Sequence, residues 1–389
     1  MIANSSITKS MHKMLMTKIQ KNYSPHPETA KIRSMVGVRQ CALLGLTYCL
    51  ACGSSQDNEV DPMEQTSGLP TTHSNADSPP ENTIDPTDDS SGPWRPFSDD
   101  SPWNTPIPED SELHPNSDAL IDDLDGSSKW NWLGINIDRF SIPVFEAQEN
   151  TPRVHVEVRD IPGYLFDMQV PIPDDAMPDA ESDHHLCIID RKSGLEWGLW
   201  DAWKDSDGWH CGVGAAIKLD GSGVRPPKDG NQDWKLSHGA RACGFPLIAG
   251  LIRVEEIRAG RIDHALVLAY PHIRSRYYTS PASTAQGTFG TATPDDDGIP
   301  CGGRVQLNPH LDLDALGLSD SGKTIAKALQ EYGAYVADYS GAINLYAENS
   351  PEAREIWESG LLDDYEIREQ IDLQELRVLK WGTLYDDEN

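Results

Sequence analysis

The stretch SDHHLCIIDRKSGLEWGLWDAWKDSDGWHCGVGAA, residues 182–216, decides how this chain folds. It is made of short runs rich in Leu, Ile, Val and Trp, bounded by Gly, Asp or Lys-Ser, which is the pattern of strands and turns. The runs predict a three-stranded meander. Side chains alternate along a strand, so His185, Cys187 and Ile189 are expected on one face and His184, Leu186 and Ile188 on the other. Of two neighbouring histidines, one alone can then point into a site.

Similar runs extend outward from this stretch: FSIPVFEA, RVHVEVRD and YLFDMQVPIP before it, HALVLAYP and GRVQLNP after it. In RVHVEVRD, Val154, Val156 and Val158 share one face, and Arg153, His155, Glu157 and Arg159 share the other. Helical spacing is confined to residues 116–124, to IRVEEIRAG ending at Gly260, to SGKTIAKALQEYGAYVAD with Ser321 as N-cap, and to SPEAREIWESGLL. The Pro-rich start at WRPF cannot be helix interior or central strand, because proline fixes φ and lacks the donor. It is expected to wrap the surface, anchored by Trp94, Phe97 and Trp103. The sum is a mainly β chain, a β-sandwich or jelly-roll-like single domain over residues 94–389 with a few short surface helices.

Residues 1–52 read as a signal and lipoprotein targeting segment, with Met35 as an alternative start. Arg39 precedes an apolar run too short to span a bilayer, and the run ends in CLACGSS. This ending resembles a bacterial lipobox with Cys52 as the lipidated residue. Residues 53–93 hold nine Asp or Glu and no Lys or Arg among Ser, Thr, Pro and Asn, so they cannot bury enough apolar surface to offset their ordering entropy. They are expected to be a disordered acidic tether, which makes the protein exported and either lipid-anchored to the cell envelope or secreted. Membrane contact is expected through the N-terminal lipid alone, and the chain is expected to be a monomer. The net charge of -30 argues against a nucleic acid partner, and a polyanionic partner would need a local basic pocket.

Four cysteines follow Cys52, which is consistent with two disulfides in an oxidising compartment. Three connectivities are open. Adjacent strand-like runs favour Cys187 with Cys211, and Gly-containing loops favour Cys243 with Cys301. No cofactor and no metal ligand set is expected, although the carboxylate-rich DSDG at 205–208 and DDDG at 295–298 leave an irregular calcium site open.

The chemistry-bearing residues form a constellation. Glu196, Asp201, His185, His264, Asp183 and Glu255 are the catalytic candidates. Arg253, Arg241, Arg225, Trp197, Trp200 and Trp209 are the substrate-binding candidates. Aromatic rings cover the C–H face of a pyranose while carboxylates, Arg and His take its hydroxyls or a uronate, so the set points to a poly- or oligosaccharide. From residue 101 to about 346 the succession SPWNTPI, DHHLCIIDR, EWGLWDA, GWHCGVGAAIKL, VRPP, GARACGFPLIAGLIRVEEIRAGRIDHALVLAYP, RVQLNP and ALQEYGAYVAD resembles a widespread group of secreted bacterial hypothetical proteins. Some of that group are associated with polysaccharide metabolism. The resemblance implies extracytoplasmic carbohydrate chemistry and carries no catalytic residue across. Where that group has GLP, this chain has Cys243 in ACGFP, which implies a local disulfide.

Three functions follow as expectations. The first is a glycoside hydrolase with Glu196 and Asp201 as paired carboxylates, and Glu255 or Asp183 as substitutes. Glu196 and Asp201 are five apart, so they need a bend to share a face. The second is a polysaccharide lyase with His185 or His264 as base and Arg253 or Arg241 as neutraliser. The third is a non-catalytic carbohydrate-binding surface lipoprotein.

Overall fold

The protein is described by a computed structural model over residues 92–159, 168–226, 239–286 and 298–387. Residues 1–91, which hold the expected targeting segment with Cys52 and the expected tether, and Asp295 lie outside the described residues. Strands dominate, as their β-branched and aromatic runs predict. A six-stranded sheet runs in the order Leu133–Asn136, Ile343–Tyr346, Leu266–Tyr270, Ala334–Tyr339, Arg304–Leu307, Leu376–Val378. An inner four-stranded sheet runs Val144–Glu146, Leu186–Asp190, Leu195–Trp200, Val213–Lys218. An outer one runs Gln169–Pro171, Arg153–Val158, Gly208–Cys211, Trp203–Asp205, and a small sheet joins Pro300–Cys301, Arg274–Tyr278 and Tyr385–Asp386. Each sheet contains a parallel pair. Parallel neighbours need longer connections than a hairpin gives, and the helix Asp320–Glu331 lies on one such path, between Leu266–Tyr270 and its parallel partner Ala334–Tyr339.

Alternation along the strands builds the cores. Leu266, Leu268, Ala334 and Val336 face one way, onto Leu120, Ile121 and Leu124 of the helix Ser117–Gly126 and Ile325 and Leu329 of Asp320–Glu331. Val267, Ala269, Tyr335 and Ala337 face the other way, toward Cys187 and Ile189 of the inner sheet, with Trp103 and Phe97 sealing the same core. The wrapping segment thus anchors as its aromatics predict. On the far side of the inner sheet, Leu186, Ile188, Trp197 and Leu199 pack against Val156, Val170 and Trp209 of the outer sheet.

Three local expectations are corrected. The stretch 182–216 is not one meander. Its chain leaves the inner sheet after Trp200, where Asp201 takes φ 49°, and Gly212 returns it by bonding its N–H to the Trp200 and Asp201 carbonyls. The hairpin between, Trp203–Asp205 with Gly208–Cys211, joins the outer sheet. Cys187 and Cys211 are therefore not bonded to each other. Cys187 faces the core toward the six-stranded sheet and Cys211 faces the core toward the outer one, and both are buried thiols. Cys243 and Cys301 do form the expected disulfide. Finally, the helix Asp320–Glu331 is capped by Ser319, whose Oγ accepts the Gly322 N–H, while Ser321 donates to Leu361 O instead. Gly333 at φ 64° then stops the helix, and AYVADY continues as a strand.

Candidate functional site

One group of side chains with chemistry meets between the inner sheet and the six-stranded sheet, around Arg241. The inner-sheet wall follows from alternation: Cys187 pairs with Gly198, and Ile189 with Glu196, so Glu196 shares the face of Cys187. Gly198 has a local reason. A Cβ there would lie 2.9 Å from Ala240 Cβ and 2.9 Å from Glu196 Oε1, so glycine lets the 240–247 loop lie across the sheet. That loop is drawn inward by the Cys243–Cys301 disulfide and by the Ser283 N–H on Cys243 O.

The opposite wall depends on an irregularity. In the strand Ala334–Tyr339, Leu268 pairs with Val336 but Ala269 pairs with Asp338, leaving Ala337 as a bulge. Regular alternation would send Asp338 into the helix-side core with Ala334 and Val336. The bulge instead sets it opposite Ala269, on the face shared with Tyr335. Its carboxylate accepts from the Gln286 amide at 3.1 Å and from the Tyr339 N–H at 2.9 Å. The residue is half-buried, yet its carboxyl is withdrawn from water. Burial first, then the negative charge of Asp183, push Asp338 up to about 7, against the pull of Arg241.

Asp183 and Asp201 adjoin through the Asp201 N–H on Asp183 O at 2.9 Å. Both are half-buried, as are Trp200 and Gln286. Below them, His185 is 2% exposed, with Nδ1 lacking any partner among the described residues. Burial, reinforced by the charges of Arg241 and His184, depresses His185 to about 3, so it is neutral under ordinary conditions. His184 takes φ 44° and bonds Asp179 O through Nδ1, so one histidine of the pair faces the site, as alternation predicts. Glu196 is 1% exposed, and its Oε1 accepts from the Leu247 N–H at 3.1 Å and the Cys187 thiol at 3.7 Å. Burial raises it to about 7, and Leu247, Arg225, Cys187 and Arg241 oppose the rise. Arg225 is itself buried. Arg241 lies over the Tyr346 ring, 4.7 Å from its centroid.

Other candidates lie elsewhere. Arg253 is buried with its guanidinium on Glu255 and Glu256, and the Glu256 carboxylate also meets His264 Nε2 at 2.9 Å. His264 Nδ1 donates to Ala265 O, so both ring nitrogens are engaged. Glu256, although buried, is held low by His264 and Arg253. Arg253, Glu256 and His264 make a closed network at the start of the helix Val254–Ala259, and Arg253 and His264 are not available as neutraliser and base. Trp197 and Trp209 are core residues, 5% and 7% exposed. A tryptophan buries 150–250 Å², or about 4–6 kcal/mol, so their place between the two four-stranded sheets accounts for them. Trp200 alone of the three expected sugar-facing tryptophans is on the Arg241 side. The Glu196 and Asp201 pair is not built as expected, since Glu196 is committed to the loop and Asp201 turns toward Asp183.

Two groupings escaped the sequence reading. Asp338 and Gln286 were missed because a bulge leaves no mark in composition. His210 is held between Glu157 Oε2 at 3.0 Å and Asp205 Oδ1 at 2.9 Å and stacks on Trp203. This engages the DSDG turn in the hairpin, and among the described residues no group of three His, Cys, Asp or Glu is arranged to hold a metal ion. The chain matches no protein-family model, no curated protein and no solved structure.

Proposed function

We propose that the chain is an exported carbohydrate-active enzyme, a glycoside hydrolase in which Asp338 is the general acid and Asp183 its ionised partner. The observation that carries this reading is Asp338, turned by the bulge onto the face shared with Tyr335, withdrawn from water and acted on by the negative charge of Asp183. Two carboxyls whose environments split their protonation are what acid and base roles require. Asp338 would give its proton to the glycosidic oxygen, while Asp183 activates water or attacks the anomeric carbon. Trp200 and Gln286 would face the sugar, and Glu196 would set the 240–247 loop. The same reading takes the stacked sheets as an elaborated β-sandwich, tethered by residues 53–93 to a lipid on Cys52.

The test is incubation with a panel of neutral and uronate-containing polysaccharides, following new reducing ends and the absorbance of a new conjugated double bond. Reducing ends without the double bond, lost in Asp338→Asn, support hydrolysis. Both signals together would mean a lyase. Neither signal, with a glycan still retarding the protein in an affinity gel, would leave a binding lipoprotein.

A further inference from the structure

Two arginines of this chain are equally buried and differently satisfied. Arg253, 3% exposed, has each guanidinium nitrogen on a carboxylate oxygen of Glu255 or Glu256. Arg241, 1% exposed, has Nη2 on Leu247 O at 3.3 Å, and neither Nε nor Nη1 has any acceptor among the described residues. Nε carries one N–H and Nη1 carries two, so most of the donors of a buried cation are unmatched. A native structure seldom leaves such donors orphaned, because each forfeits its hydration with nothing in return.

The surrounding atoms narrow what would match them. His185 Nδ1 and Gln286 Oε1 are also buried without partners among the described residues. Gln286 Oε1 needs a donor, while the guanidinium needs an acceptor, preferably anionic. The Tyr346 ring beneath the guanidinium fixes its plane, and the Gln286 amide is held by Asp338. One ligand that brings both an anionic planar acceptor and hydroxyl donors at sugar spacing is a uronic acid.

We infer that Arg241 receives a substrate carboxylate, with Gln286 and His185 taking neighbouring hydroxyls, so that the glycan acted on is acidic. This rests on the proposed sugar site and narrows its substrate. Arg241 is a binding residue here, with the proton chemistry left to the aspartates.

The experiment measures binding of D-glucuronate, D-galacturonate, D-glucose and D-galactose to the full chain by titration calorimetry, with Asp338→Asn as the non-cleaving form. Charge-assisted bonds predict uronates binding about tenfold or more tightly than the neutral sugars, with the difference abolished in Arg241→Gln. Arg241→Lys, which keeps the charge and loses the planar fork, should retain part of it. Circular dichroism of each variant separates loss of the site from loss of the fold, and the wild-type preference needs no variant. Equal affinity for uronate and neutral sugar overturns the inference. So does inorganic sulfate or acetate competing as well as uronate, which would make this a general anion site. Release of reducing ends from neutral glycans without uronate preference sinks the inference and leaves the hydrolase. Uronate preference without hydrolysis does the reverse.

Discussion

Replacing Glu196 by Gln is the sharpest probe of whether the space between the inner and six-stranded sheets is dry. Burial holds Glu196 at about 7 in the folded chain, against an ordinary 4.5. Between those values the folded state keeps a proton that the unfolded state has released. Stability is therefore fully present below 4.5, falls as pH rises, and reaches its floor above about 7. The gap corresponds to about 3 kcal/mol at 1.36 kcal/mol per unit, most of which falls between pH 5 and pH 8. Gln has the same shape and keeps a carbonyl oxygen for the Leu247 N–H and the Cys187 thiol. It has no proton to lose. Glu196→Gln should thus gain on the wild type by about 2–3 kcal/mol from pH 5 to pH 8, read from urea unfolding followed by tryptophan fluorescence at one temperature. A constant offset between the two proteins at both pH values would refute the reasoning, because Glu196 would then be ionised throughout and its surroundings wet.

Other consequences follow from the same geometry. Asp183→Asn removes the charge that, after burial, raises Asp338, so the Asp338 titration, followed by carbon-13 NMR of its carboxyl rather than by turnover, should move to lower pH; an unmoved titration separates the two groups. Opening the Cys243–Cys301 link by paired Ser substitutions frees a loop with a separation of 58 residues. The loop entropy is about 4 kcal/mol, or roughly ten degrees in melting temperature. Cys187→Ala should show no change in its response to reductant. Arg253→Ala leaves Glu256 buried beside His264 without its guanidinium partner, and should cost about 3–5 kcal/mol in urea unfolding while leaving the pH profile of hydrolysis in place. A shifted profile would return Arg253 to the site.

What the residues disclose and what they hide divide along one line, local against non-local. Val156 between half-buried Val154 and Val158, the inward face of Cys187 and Ile189, and the anchors Phe97 and Trp103 all follow from period-two alternation or apolar bulk. His185 was placed on the right face for the same reason. The failures come from single backbone conformations that composition does not encode. Asp201 at φ 49° takes the hairpin out of its sheet, and with it the supposed neighbour of Cys187. The bulge at Ala337 turns Asp338 through half a period. Arg253 and His264 carry suitable side chains, but nothing in IRVEEIRAGRIDH says that Glu256 will bind both.

The whole-chain charge of -30 is the strongest bulk property of the sequence, and it does not describe the charges around Arg241. Formal charges would place Asp338 and Glu196 as two anions against the cations of Arg241 and Arg225. Desolvation changes that balance. With both carboxyls at about 7 they are partly protonated near neutrality, and His185 at about 3 is neutral. Arg241 and Arg225 are then compensated less than residue counting suggests, while exposed carboxylates elsewhere are screened by salt beyond about a Debye length. An acidic protein can therefore present a locally cationic floor. The repulsion that an acidic glycan meets is largely a matter of approach, and should weaken as ionic strength rises, whereas the contact with a buried guanidinium should persist. Uronate binding that survives added sodium chloride better than the rate of encounter does would bear the signature of that separation.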